Sequence, residues 1–207
     1  MARQSLALPS VLGALTLLSS AHAQTTPTLQ QAITTGQASA HFHGTGGSSG
    51  DTVMVEVSKG PKASSRPLTV SVPPGSPLYS SQAGAQSMMV LGVAGRVTGP
   101  RTYSPSDDIV IPATGTATYI LHAFCAEFHK DNPSGSTSFT LHLPDAALAC
   151  IARQCLKVHP SLQATQAAVW MYTDHLTLEE MNRKFAISSS DWRAARKIVS
   201  ACGVTPK

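Results

Sequence analysis

Cys125 and Gln166 are the two residues of this chain whose types and local patterns point to joint chemistry. Along Thr116–Cys125, Ala117, Tyr119, Leu121, Ala123 and Cys125 share one parity. Side chains alternate along a strand, so the thiol belongs to the apolar face, at the strand's last residue. By itself a buried Cys is a small hydrophobe. In Leu162–Thr173, Leu162, Gln166, Val169 and Trp170 fall at i, i+4, i+7 and i+8, one stripe of a helix. Gln166 therefore occupies the middle of an apolar face, where an unpaired carboxamide costs about 1–3 kcal/mol. It needs a partner, and strand backbone is the ordinary one. A thiolate is the other. Attack of Sγ on the side-chain carbonyl, with loss of ammonia, would leave an internal thioester. His129, four residues past Cys125, is either the base that generates the thiolate or an exposed loop residue beside Lys130 and Asp131.

Phe124-Cys125 followed by Thr165-Gln-Ala-Ala-Val-Trp170 resembles the bacterial thioester domain family of surface proteins. In that family an aromatic- or Leu-Cys pair is joined to the Gln of a Thr-Gln-x-Ala-Ile/Val-Trp motif. Every specified position of the second motif is matched, at Thr165, Gln166, Ala168, Val169 and Trp170. A further Gln-containing motif of the family has a loose echo in Ala85-Gln-Ser-Met-Met-Val90, upstream of the Cys. The resemblance implies a β-sandwich with a helical subdomain, the thioester joining the two, and covalent capture of an amine-bearing extracellular partner.

Amides resist thiolysis, so such a site must hold its atoms in near-attack geometry and aim fixed donors at the oxyanion. Backbone N–H groups at the end of the Cys125 strand, or the Thr165 hydroxyl, are the candidate donors. Trp170, Phe124 and Phe128 are the candidate apolar cover against hydrolysis. Aminolysis by a Lys-type or small amine would give a stable amide and free Cys125. That is one capture event without turnover, so no enzyme and no cofactor are expected. The same bond would also be a staple, worth roughly 4 kcal/mol for a loop of this length. A purely structural cross-link is thus a rival reading, as is a sandwich in which the two residues only pack together.

Other constellations compete. His41 and His43 share a face of a strand, and His122 and His142 lie on other strands, which permits a copper or zinc site. Cys125-x-x-x-His129 is similar to the copper loop of cupredoxins, but Asp131-Asn-Pro-Ser-Gly135 supplies no axial Met. The expectation is no metal, with His41 and His43 as the alternative. Among Cys150, Cys155 and Cys202, a Cys150–Cys155 bridge is disfavoured, because positions five apart on a helix do not point together. Cys202 can pair with either; Cys150 is slightly favoured because Cys155 reads as core.

The elements that must position these groups follow from composition and period. The chain has 207 residues, 42% apolar and only 13% charged, with a net charge of +4. That balance excludes a disordered chain, and a weak charge without Lys/Arg clusters excludes a nucleic-acid binder. No hydrophobic run is long enough to span a bilayer. Residues 1–23 read as a signal peptide, with Arg3, an apolar Leu6–Leu18 and Ala21-x-Ala23 before the cleavage point. The mature protein is therefore expected to be secreted or periplasmic, where disulfides form.

The fold class expected is α+β: a β-sandwich over 24–143 followed by a small helical subdomain over 144–207 of the same domain. Alternation marks strands at Thr52–Val57, Leu68–Val72, Ser87–Val93, Thr116–Phe124 and Ser138–Leu143. Residues 24–35 read as polar and loose. After Pro144, Asp145, Ser161, Thr177 and Ser188 each cap a helix, and Gly203 ends the last.

Overall fold

The computed structural model describes residues 26–205. The expected signal segment and its cleavage point near Ala23 lie outside the described residues. The first element is a short helix, α1 (Leu29–Thr34), in the stretch read as loose. The Thr28 hydroxyl accepts from the Gln31 N–H while the Gln31 side chain accepts from the Thr28 N–H, a capping box. Leu29 and Ala32 are buried by it. The apolar content there is too sparse to show a period, but the Thr-x-x-Gln spacing is present.

Nine strands follow: β1 (Ala38–Gly44), β2 (Ser49–Lys59), β3 (Leu68–Val70), β4 (Pro77–Ser80), β5 (Met88–Gly99), β6 (Thr102–Pro105), β7 (Ile109–Ile111), β8 (Thr116–Cys125) and β9 (Ser138–Leu141). The main sheet is seven-stranded and antiparallel, ordered β4-β9-β1-β2-β8-β5-β6. This order does not by itself show the two layers expected of a sandwich. β4 pairs with β5 as well as β9, so β4, β9, β1, β2, β8 and β5 close into a barrel-like ring.

Register shifts bend the long strands into this closure. They occur at Asp51/Val53 between β2 and β8, and at Val90/Gly92 and Val93/Gly95 between β5 and β8. An extra residue on one strand of a pair kinks it and raises its twist, which lets β5 swing round to β4. Closure leaves β6 appended to β5 and a separate β3–β7 pair. Val53, Val55, Val57, Leu78, Val90, Tyr119 and Leu121 fill the core.

Four helices complete the fold, each starting at the expected cap: α2 (Ala146–Val158) at Asp145, α3 (Leu162–Thr173) at Ser161, α4 (Leu178–Asn182) at Thr177 and α5 (Ser189–Ala201) at Ser188. α3 is central, in contact with α2, α5, β2 and β8. It buries every residue from Ala164 to Met171, so it is apolar around most of its circumference and not along a single stripe. Leu162, expected on the buried face, is its first residue and is 52% exposed. A second, smaller core of Met89, Phe124, Leu148, Ala152 and Val169 joins β5 and β8 to α2 and α3.

Candidate functional site

β8 and α3 bring Cys125 and Gln166 together. Both are fully buried. Gln166 spans the backbone of Cys125: its Oε1 accepts the Cys125 N–H at 3.1 Å, and its Nε2 donates to the Cys125 carbonyl at 2.7 Å. The side chain thus docks on one residue of β8 much as a neighbouring strand would. The Cys125 N–H is shared, reaching the Ser48 carbonyl at 3.1 Å as well. This pairing satisfies the buried carboxamide without any covalent bond. It also places the side-chain carbonyl against the one residue of β8 that carries a thiol.

The thiol lies in an apolar setting. The thiol can donate to Met88 Sδ at 3.6 Å and to Asn132 Oδ1 at 4.0 Å. Burial pushes its pKa up to about 12, because a thiolate is poorly solvated there. At neutral pH the sulfur holds its proton. The carbonyl oxygen already has a fixed donor in the Cys125 N–H, as the strand end was expected to provide. The Thr165 hydroxyl, the other candidate donor, instead donates to the Ser161 carbonyl at 3.0 Å; its interaction with Cys155 holds that buried thiol lower than burial alone would, though still up at about 11.

The remaining motif residues divide between two sides of α3. Ala168 and Trp170 belong to the main core, while Val169 packs with Phe124 between the sheet and the helices. Phe124 therefore braces α3 and does not cover the thiol. Phe128 and Trp170 form a T-shaped pair at 5.0 Å, and Phe185 packs edge-on against Trp170 at 5.2 Å. The loop carrying Phe128 is tied to the end of α3, where Asp174 Oδ1 accepts the Phe128 N–H at 3.1 Å. Burial raises the Asp174 carboxyl's pKa, against the lowering effects of the Thr173 hydroxyl, the Phe128 N–H and nearby His129. His129 itself is exposed, stacks edge-on with Phe128 and makes no hydrogen bond to Cys125.

A cleft of about 340 Å³, lined in part by Ser48, Gln86, Asn132, Trp170, Lys184 and Phe185, lies one residue away from the thiol, with neither Cys125 nor Gln166 in its lining. Asn132 connects it to the sulfur, and Gln86 Nε2 donates to the Asn132 Oδ1 at 3.3 Å. Gln86 is the Gln of the loose motif echo, brought here by an Ala85–Asp131 bridge. Asn132 carries no such mark: in the sequence it reads only as part of the Asn-Pro turn, and its place next to Cys125 depends on the path of the loop.

Elsewhere, Cys150 and Cys202 form a disulfide with Cα atoms 5.7 Å apart, joining α2 to α5, and Cys155 stays a buried free thiol. His41 and His43 lie on β1 opposite Glu56 and Met54. Among the described residues no group of three or more His, Cys, Asp or Glu stands close enough to hold a metal ion. No described helix is long and apolar enough to cross a membrane. Compared with known proteins, the chain matches no family model, no curated protein and no solved structure.

Proposed function

We propose that this chain is a thioester-type capture domain acting outside the cytoplasm, in which Cys125 and Gln166 form an internal thioester that a primary amine opens. The observation that carries the reading is the docking of the Gln166 carboxamide on the backbone of Cys125 in a buried site beside a cleft. Formation needs no net base. Sγ bonds to Gln166 Cδ, the Cδ–Nε2 bond breaks, and the proton from sulfur ends on nitrogen, releasing ammonia. The Cys125 N–H faces the oxygen on which charge develops. Burial excludes water, which keeps the product from hydrolysis. Opening by an amine, Lys-type or small, transfers the Gln166 acyl group to nitrogen and returns the thiol. This is a single event.

Intact mass tests the reading. The mature protein is expected to weigh one ammonia less than its disulfide-corrected sequence, and Cys125→Ala to abolish the deficit. A full sequence mass, with Cys125 alkylatable only after unfolding, would end it. A second reading is favoured by the pairing of both the carboxamide oxygen and nitrogen with backbone: a fold-holding contact without capture. A deficit that persists under methylamine would assign the bond to that structural role.

A further inference from the structure

Two buried side-chain polar atoms among the described residues have no hydrogen-bond partner, Gln86 Oε1 and Trp170 Nε1. Both belong to residues that line the cleft beside Cys125, and both residues are nearly inaccessible, at 3% and 4% exposure. An unmet buried acceptor and an unmet buried donor each carry a desolvation penalty that a fold does not ordinarily accept. Carried by two residues of one cleft wall, they describe the complement of a ligand that enters the wall between them: an N–H for Gln86 and an oxygen acceptor for Trp170. Lys184 adds a cation at the same wall, its Nζ 5.5 Å over the ring of Phe128, and so also favours an oxygen acceptor. Lys130, also in the lining, is paired with Glu127 at 2.5 Å, and Asp131 lines the cleft as well.

We propose that this cleft selects primary amines that carry an oxygen acceptor over bare alkylamines, Gln86 Oε1 taking the amine N–H and the Trp170 indole N–H the oxygen. This rests on the capture reading for its covalent step but not for its binding step. In the covalent step the amine nitrogen bonds to Gln166 Cδ, the Cδ–Sγ bond breaks with its electron pair on sulfur, and the proton lost by nitrogen goes to Sγ. Gln86 and Trp170 act as positioning residues. The cleft volume of about 340 Å³ admits an amino-acid amide or an amino alcohol whole.

Glycinamide and ethylamine are suitable probes, one with the acceptor and one without. In Cys125→Ala protein, where no thioester forms, titration with glycinamide is expected to move the Trp170 indole N–H resonance. Ethylamine should not move it, and the Trp192 resonance should stay fixed; Trp170→Phe assigns the signal. In protein that shows the ammonia deficit, the glycinamide-to-ethylamine rate ratio is expected to fall about tenfold in Trp170→Phe, the size of one hydrogen bond. Gln86→Met should lower capture of both amines. An indole signal unmoved by glycinamide, or a rate ratio unchanged in Trp170→Phe, would overturn the proposal. Absence of the ammonia deficit would remove the capture reading alone, and the titration would still decide whether the cleft binds such amines.

Discussion

Gln166 and Cys125 contribute differently to the fold, and the difference separates a bond from a contact. Without a thioester, Gln166→Ala removes both hydrogen bonds at Cys125 and leaves its carbonyl without that donor in a buried site. The expected loss is about 2–3 kcal/mol in chemical denaturation. Cys125→Ala keeps the backbone that Gln166 pairs with and deletes only a sulfur. Without a thioester it should cost about 1 kcal/mol, the order of a small cavity. With one it also opens a loop between positions 41 apart, and the loss should rise by roughly 4 kcal/mol in the chain-entropy description. The two variants measured side by side therefore report the bond through stability, independently of mass.

The two free thiols add a pH signature at the same scale. Burial raises Cys125 from 9.0 to about 12 and Cys155 from 9.0 to about 11. A raised pKa means the fold favours the protonated thiol. That stabilisation is complete below the unfolded-chain pKa and is lost as pH climbs through about 9 toward 12. The unfolding free energy from urea titration should fall between pH 7.5 and 10.5, by on the order of 2 kcal/mol for each thiol that titrates. An acylated Cys125 does not titrate. The slope should then be the same in Cys125→Ala as in the parent, whereas a free thiol would make the variant's slope shallower.

Contacts between the helices and the sheet side of the fold set where α3 delivers Gln166, and one close approach is at Gly75, in the turn between β3 and β4. Its φ is +90°, and a Cβ there would meet the Leu148 carbonyl carbon and oxygen at 2.6 Å. That atom would strike backbone of α2, which cannot move without shifting the adjoining α3. Gly75→Ala should therefore destabilise by about 2 kcal/mol or more, from strain and overpacking together. It should also reduce thioester yield if capture is the function, because β8 and α3 lose their register. Comparing the ammonia deficit in this variant with the parent checks that. These helices are the part of the fold most legible from sequence: Asp145, Ser161, Thr177 and Ser188 are caps whose chemistry is local, and all four act as read. The parity that buries Cys125 and the period that buries Gln166 are equally local. Closure of the ring is not, since the β4–β5 pairing depends on bulges that alternation does not reveal. Asn132 reaches the thiol, and Gln86 reaches Asn132, by loop paths without period, so only a weak motif echo marks Gln86 and nothing marks Asn132.

At the scale of the whole molecule, the described chain is a closed sheet with helices docked on it, and covalent links matter most where that docking is thin. Cys150–Cys202 ties α2 to α5 across 52 positions of sequence. α3, which carries Gln166, packs against both of those helices, so the disulfide fences the scaffold from which Gln166 reaches β8. In the chain-entropy description, closing a loop of this length stabilises by roughly 4 kcal/mol. Reduction, or Cys150→Ser with Cys202→Ser, should lower stability by about 2–4 kcal/mol and act on the helical half first. Hydrogen exchange can check the order: without a thioester, amides of α3 and α5 should lose protection on reduction before those of β2 and β8. If the thioester is present it pins α3 to β8 directly, so reduction should then release α5 while leaving α3 protected. Loss of protection in both helices together would place Gln166 on the non-covalent side of the question, and the two cross-links can thus be told apart by which helix lets go.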